Sequence, residues 1–236
     1  MKLALFDIDG TLVHTAGAGS RAFSRALEEV LGIPNALRDL RLDGQTDSLI
    51  LRAALERAGV FTFPEPEILT RLSLRYVELL EEELKRADDG YRVLDGVEEL
   101  LEILSLDRSF ILGLATGNLE SGAWAKLRPG SLDRFFDFGG FGSDAVERWE
   151  LIRIAVERAA DRAGGRLPAE VFVVGDTPND IQHGHRAGAK VIAVATGSYS
   201  AKELALHSPD LLVTSLSPAE PVLDFLRGSP EWKTAS

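Results

Sequence analysis

The sequence contains no cysteine, which excludes disulfides and a thiol nucleophile and fits a reducing compartment. It also lacks a long apolar run. The first, Leu3-Ala4-Leu5-Phe6, meets Asp7 too early to act as a secretory leader, and no later run is long enough to span a bilayer. Cations are scarce relative to anions, 26 Lys and Arg against 37 Asp and Glu, giving a formal net charge of −11 and a pI near 4.9. A field of that sign repels nucleic acid and anionic membrane surfaces, so neither is expected as a partner, and a cytoplasmic protein is the expectation. An anionic substrate would be repelled at long range too, so a site for one must be positive locally. There is no internal repeat or low-complexity tract. What remains is ordinary: 236 residues, 45% of them hydrophobic, suffice for one large domain or one domain carrying an insertion.

The informative stretch is Leu3 to Leu12. Four apolar residues without a polar break predict a short strand buried on both faces. It runs into Asp7 and Asp9, and carboxylates at the end of a buried strand are costly unless a cation sits with them. A hard, oxygen-seeking ion such as Mg²⁺ suits that position. Gly10 and Thr11 then suit a tight turn whose backbone N–H groups can hold an anion. A metal beside an anion pocket points to phosphate chemistry. The string Phe6-Asp7-Ile8-Asp9-Gly10-Thr11-Leu12 resembles the first motif of the haloacid dehalogenase superfamily, most of whose members are phosphatases.

Further along, Ala22, Phe23, Ala26, Leu27, Val30 and Leu31 recur at helical spacing until Gly32-Ile33-Pro34. Thr46 or Asp47 can cap a second helix through about Ala58, and a third is expected from about Glu67 to Ala87. Three helices with no strand between them break simple alternation, so residues 15–90 read as an inserted helical subdomain. The superfamily's first-type helical cap lies at the same place. After a turn at Asp89-Gly90, helices are expected at Val97–Leu106, Leu119–Leu127, about Ala145–Ala163 and Pro218–Leu226. Strands are expected at Ser109–Ala115, Glu170–Val174, Lys190–Val194 and Asp210–Val213, with a short strand and loop over Phe135–Phe141. The expected fold is α/β: a Rossmann-like parallel sheet covered by helices on both faces, formed by residues 1–14 and 91–227, with 228–236 a flexible tail. Ligands of such sheets bind beyond the carboxyl ends of the strands, where Asp7, Thr116 and Asp176 fall.

Gly175-Asp176-Thr177-Pro178-Asn179-Asp180 places two carboxylates four residues apart across a strand–helix junction, and resembles the superfamily's fourth motif, which completes the Mg²⁺ site. Thr116-Gly117-Asn118 lies where the second motif would, with a hydroxyl and helix-start N–H groups suited to a phosphoryl oxygen. The third motif departs from the pattern. No Lys-Pro occurs, and the cation is either Arg148, in Gly142 to Glu150, or Lys126, well along a helix from Thr116. His14 stands where the superfamily usually has an Asp and is expected as a hinge or surface residue or a general base. The resemblance implies a Mg²⁺-dependent phosphatase acting on a small phosphorylated metabolite, as a monomer or homodimer. Asp7 would be the nucleophile and Asp9 the acid–base. Asp7, the Asp9 carbonyl, Asp176 and Asp180 would hold the metal, with Gly10, Thr116, Gly117, Asn118, Gln45 and a cation around the phosphate. A phosphomutase, a dehalogenase and a non-catalytic phosphate-binding protein are the alternatives. Asp9 speaks against a dehalogenase, and the absence of a His in Ala16-Gly17-Ala18-Gly19 speaks against a mutase.

Overall fold

The computed structural model describes residues 1–40, 42–86 and 90–228. Strand β1 (Lys2–Phe6) sends Ala4 and Phe6 into one apolar layer and Leu3 and Leu5 into the other, as period-two alternation requires of a strand covered on both faces. Beyond it the amides of Thr11, Leu12 and Val13 converge on the Ile8 carbonyl, and the chain turns into β2 (Val13–His14). Helices α1 (Ala18–Leu31), α2 (Asp47–Arg57) and α3 (Pro66–Arg86) follow with no strand between them. The chain returns through β3 (Arg92–Val93), antiparallel to β2, so both crossings between the helices and the sheet are zipped together. Two-residue strands have no periodicity to read, and the sequence did not reveal this pair.

The three helices have their own apolar cluster, which includes Phe23, Leu27, Leu51, Leu72, Leu79 and Leu80. Phe23 meets Tyr76 edge-on at 5.2 Å between ring centroids. Helix α1 stops at Gly32, in the left-handed conformation, and α2 starts where Thr46 Oγ1 accepts from the Leu49 amide. Buried Glu83 is satisfied by Arg21 at 2.7 Å and Arg25 at 3.2 Å. The expected extension of α3 to Ala87, the Asp89 half of the expected turn, and residues 229–236 of the expected tail lie outside the described residues.

The remainder alternates: α4 (Val97–Leu106), β4 (Phe110–Ala115), α5 (Glu120–Leu127), β5 (Gly139–Gly140), α6 (Arg148–Arg162), β6 (Glu170–Gly175), α7 (Pro178–Arg186), β7 (Lys190–Val194), α8 (Ala201–Ala205), β8 (Leu211–Val213) and α9 (Glu220–Arg227). The strands form a six-stranded sheet in the order β5-β4-β1-β6-β7-β8, parallel throughout. Helices α4, α5 and α9 cover one face, and α6, α7 and α8 the other. This is the Rossmann-like α/β architecture expected. Helix α6 starts at Arg148 rather than near Ala145. The Asp144 carboxylate accepts from the Phe141 amide at 2.9 Å and pairs with Arg158 at 2.6 Å, which commits the preceding residues to a turn.

Candidate active site

Asp7 extends β1 by one more bond, its amide donating to the Val174 carbonyl at 2.9 Å, and its side chain is 7% exposed. The turn that follows depends on Gly10. Its φ is +79°, and a Cβ there would collide with the Asp176 carboxylate. The Gly10 amide, expected to face an anion, instead donates to the Val13 carbonyl at 2.9 Å. Gly10 therefore admits Asp176 rather than holding a ligand. Among the described residues, the amides of Asp9 and Gly117 have no acceptor.

Asp7, Asp176 and Asp180 form a buried cluster whose ligand oxygens lie within 4.8 Å of one another. Asp176 comes from the end of β6, and its Oδ1 accepts from Thr11 Oγ1 at 3.0 Å. Asp180 is the third residue of α7. It closes a reciprocal cap in which Thr177 N and Oγ1 donate to Asp180 Oδ2 at 3.0 and 2.7 Å. Its other oxygen is left for Arg148, whose Nη2 lies 2.6 Å from Asp180 Oδ1 and 3.0 Å from Asp7 Oδ1. These are ionic contacts rather than directed hydrogen bonds. A cation in the first turn of a helix opposes the helix dipole, and here two facing carboxylates offset that cost. Burial pushes Asp7 up to about 6 despite Arg148, and burial with the Asp180 and Asp7 charges pushes Asp176 well above the usual range. One guanidinium does not balance three carboxylates. The all-oxygen donor set and the unbonded Asp180 Oδ1 fit a hard divalent cation.

Asp9 points the other way, toward the cavity, with a side chain 42% exposed. Lys126 Nζ reaches its Oδ2 at 2.6 Å and Asn118 Oδ1 at 2.6 Å. Asn118 Nδ2 in turn donates to Asp9 Oδ2 at 2.9 Å and to Thr116 Oγ1 at 2.7 Å. Asn118 thus organises the site through its side chain, and Thr116 keeps its hydroxyl proton to donate. Burial would raise Asp9, but the Lys126 charge and the bonds from Lys126, Asn118 and Thr15 outweigh it and hold the carboxyl below its ordinary value. The sequence offered Arg148 or Lys126 as the single cation; the fold brings both, Arg148 to Asp7 and Lys126 to Asp9.

The loop Gly44-Gln45-Thr46-Asp47 is fastened to the carboxyl edge of the sheet. The Asp47 amide donates to Gly117 O at 2.8 Å, Thr46 Oγ1 to Val146 O at 3.0 Å and Asn179 Nδ2 to Gly44 O at 2.8 Å. A Cβ on Gly117 would strike the Gln45 carbonyl. The loop closes a cleft of about 610 Å³ lined by Asp7, Asp9, Gln45, Thr116, Lys126 and Arg148, among others. His14 lies at the hinge, its Nδ1 3.3 Å from both the Gly90 carbonyl and the Ala16 amide. Sequence reasoning missed Thr196 and Gly197, beyond β7 on the same edge: Thr196 Oγ1 donates to Gly10 O at 2.6 Å, and a Cβ on Gly197 would strike Asp176. Their position after a strand was the only available signal.

Asp47 gives a test that does not depend on activity. Its Oδ2 accepts from the Leu119 amide at 2.8 Å, and burial pushes the carboxyl up to about 6 from 3.8. A raised acid adds stability below its unfolded value and loses it as pH climbs toward 6. Asp47→Asn keeps an acceptor for Leu119 and removes the titration. Denaturant titrations between pH 4 and 7 should show a stability gain for the variant that grows with pH, to at most about 3 kcal/mol, since the carboxyl still touches the cleft. A parallel pair of curves would refute the assignment.

The structure is an α/β fold with carboxylates paired with buried cations at the carboxyl edge of its parallel sheet. Residues 1–188 match the family described as haloacid dehalogenase-like hydrolase, and the chain belongs to that family. It is 30% identical to the probable phosphatase IndB of Dickeya dadantii, over 91% of this chain and 90% of that one. It is 28% identical to the phosphoglycolate phosphatase of Mannheimia succiniciproducens, over 89% and 92%. The solved hydrolase from Pseudomonas syringae superposes with a TM-score of 0.68 at 23% identity, covering 95% of this chain and 99% of that one, which shows the shared fold.

Proposed function

We propose that the protein is a Mg²⁺-dependent phosphatase acting on a small phosphate monoester, with residues 15–90 as a helical cap over a core of 1–14 and 91–227, working in the cytoplasm. The observation that carries this reading is the separation of charge. Asp7 is paired with Arg148 and Asp9 with Lys126, and the donors of Thr116, Gly117 and the Asp9 amide are free beside them. Asp7 would attack phosphorus, forming an aspartyl-phosphate as the ester oxygen departs with a proton from Asp9. Asp9 would then take a proton from water as that water attacks the acyl phosphate, releasing inorganic phosphate and restoring Asp7. Lys126 favours the ionised form of Asp9 and so favours this second half. Thr116 O–H and Gly117 N–H would hold the phosphoryl oxygens as charge shifts onto them. Asp7, the Asp9 carbonyl and Asp176 would hold Mg²⁺, with Asp180 behind them. When bound, the ion neutralises carboxylate and phosphate charge together.

Phosphate release from p-nitrophenyl phosphate should require Mg²⁺, stop with EDTA and return when Mg²⁺ is added back. Full activity in chelator would remove the metal from the mechanism.

A further inference from the structure

Tyr76, on α3, is 1% exposed, yet it belongs to the lining of the cleft that holds Asp7 and Asp9. Its ring is held by packing. Phe23 of α1 meets it edge-on, and Gly122 of α5 makes room for it, since a Cβ there would lie 2.8 Å from Tyr76 Cε1. The hydroxyl has no hydrogen-bond partner among the described residues. A buried hydroxyl left unbonded is costly, so one that opens on a cleft marks a place for a ligand atom. Burial pushes this phenol above its ordinary value, so it keeps its proton and can donate.

Across Gly19 the hydroxyl has the Lys126 ammonium as its neighbour. A Cβ on Gly19 would lie 3.0 Å from Lys126 Nζ and 3.8 Å from Tyr76 Oη. Of the charges acting on the Tyr76 hydroxyl, that of Lys126 is the strongest. Lys126 lines the same cleft and commits two of its three ammonium protons, to Asp9 Oδ2 and Asn118 Oδ1. The third is uncommitted among the described residues. Two donors therefore stand side by side, one carboxylate away from the atom that Asp9 would protonate. An ester oxygen at Asp9 leaves the next atoms of its alcohol to pass the ammonium and the phenol.

We propose that Tyr76 Oη and the third N–H of Lys126 form a two-donor subsite for an oxygen on the carbon next to the ester carbon, so that the alcohol released has vicinal oxygens, as in a 1,2-diol. This rests on the phosphatase reading above. An alkyl group in that place leaves two desolvated donors without acceptors, which a site built for an oxygen penalises.

The test is a pair of esters of equal size and charge, 2-hydroxyethyl phosphate against propyl phosphate, at fixed Mg²⁺ and pH. The wild type should favour the hydroxyl ester in kcat/KM by about tenfold or more. Tyr76→Phe removes one oxygen and keeps the ring between Phe23 and Gly122, and it should cut that preference by about fivefold. The ratio within one variant is insensitive to how much of it folds. A wild type without the preference, or a Tyr76→Phe variant that slows both esters alike and leaves the ratio intact, would overturn the inference and leave the phosphatase standing. Failure to turn over any ester, p-nitrophenyl phosphate included, would overturn both.

Discussion

Asp7→Asn should lose essentially all turnover, by roughly 10⁴-fold or more, because in the proposed mechanism the carboxylate that would attack phosphorus also belongs to the buried cluster. Asparagine keeps the shape and the Val174 bond of the backbone, so the variant should fold. It removes one negative charge from a cluster with a charge excess, so its thermal stability without metal should equal or exceed the wild type. Asp9→Asn separates the two steps. Its side chain opens on the cleft, and the backbone carbonyl that would face the metal is retained. With p-nitrophenolate as leaving group, protonation matters little in the first step, so aspartyl-phosphate should form and then persist for want of a base. Intact mass after acid quench should show a phosphate adduct in Asp9→Asn and none in Asp7→Asn. An adduct in the Asp7 variant would reassign the nucleophile.

Arg148→Ala should be the most damaging of the cation substitutions, in stability as well as rate. Arg148 is 5% exposed and is the cation in direct contact with Asp7 and Asp180. Removing one partner of a buried ion pair leaves uncompensated charge, which costs about 3–5 kcal/mol. Mg²⁺ should restore part of that stability by screening the same carboxylates, and Arg148→Lys should recover more than Arg148→Ala. Lys126→Ala should cost less stability, because its partner Asp9 can be hydrated from the cleft. Chemical denaturation with and without Mg²⁺, beside kcat for p-nitrophenyl phosphate, ranks the variants. If Lys126→Ala proved the worse on both measures, the central cation would be Lys126.

The sheet was legible because its strands are buried on both faces and so read as unbroken apolar runs, as in Leu3–Phe6 and Val171–Val174. Helices α1 to α3 were legible as a strandless interval. Boundaries were not, where side chains far along the chain set them. The start of α6 is decided by Asp144 meeting Arg158, and a window of local periodicity from Ala145 contains no sign of it. The aspartates of the site were readable because each sits at a strand end or one helical turn beyond, a position fixed by local structure. Gly10 was misjudged for the converse reason. Its glycine character was evident, but the group that needs the space, Asp176, is brought in by the pairing of β1 with β6.

By itself, then, the sequence determined the α/β class, the place of the helical insertion and the carboxylates at the strand ends, since strand burial, helix capping and charge spacing are local properties of the chain. The tertiary structure alone decided which cation serves which carboxylate. Arg148 and Lys126 lie on different helices, and their reach to Asp7 and Asp9 spans 141 and 117 residues of chain. It alone also decided that Phe23, Leu42, Ile50 and Tyr76 come together in the lining of the cleft that holds Asp7 and Asp9. That follows from which side of each of these segments turns inward, and it is not encoded in any short stretch.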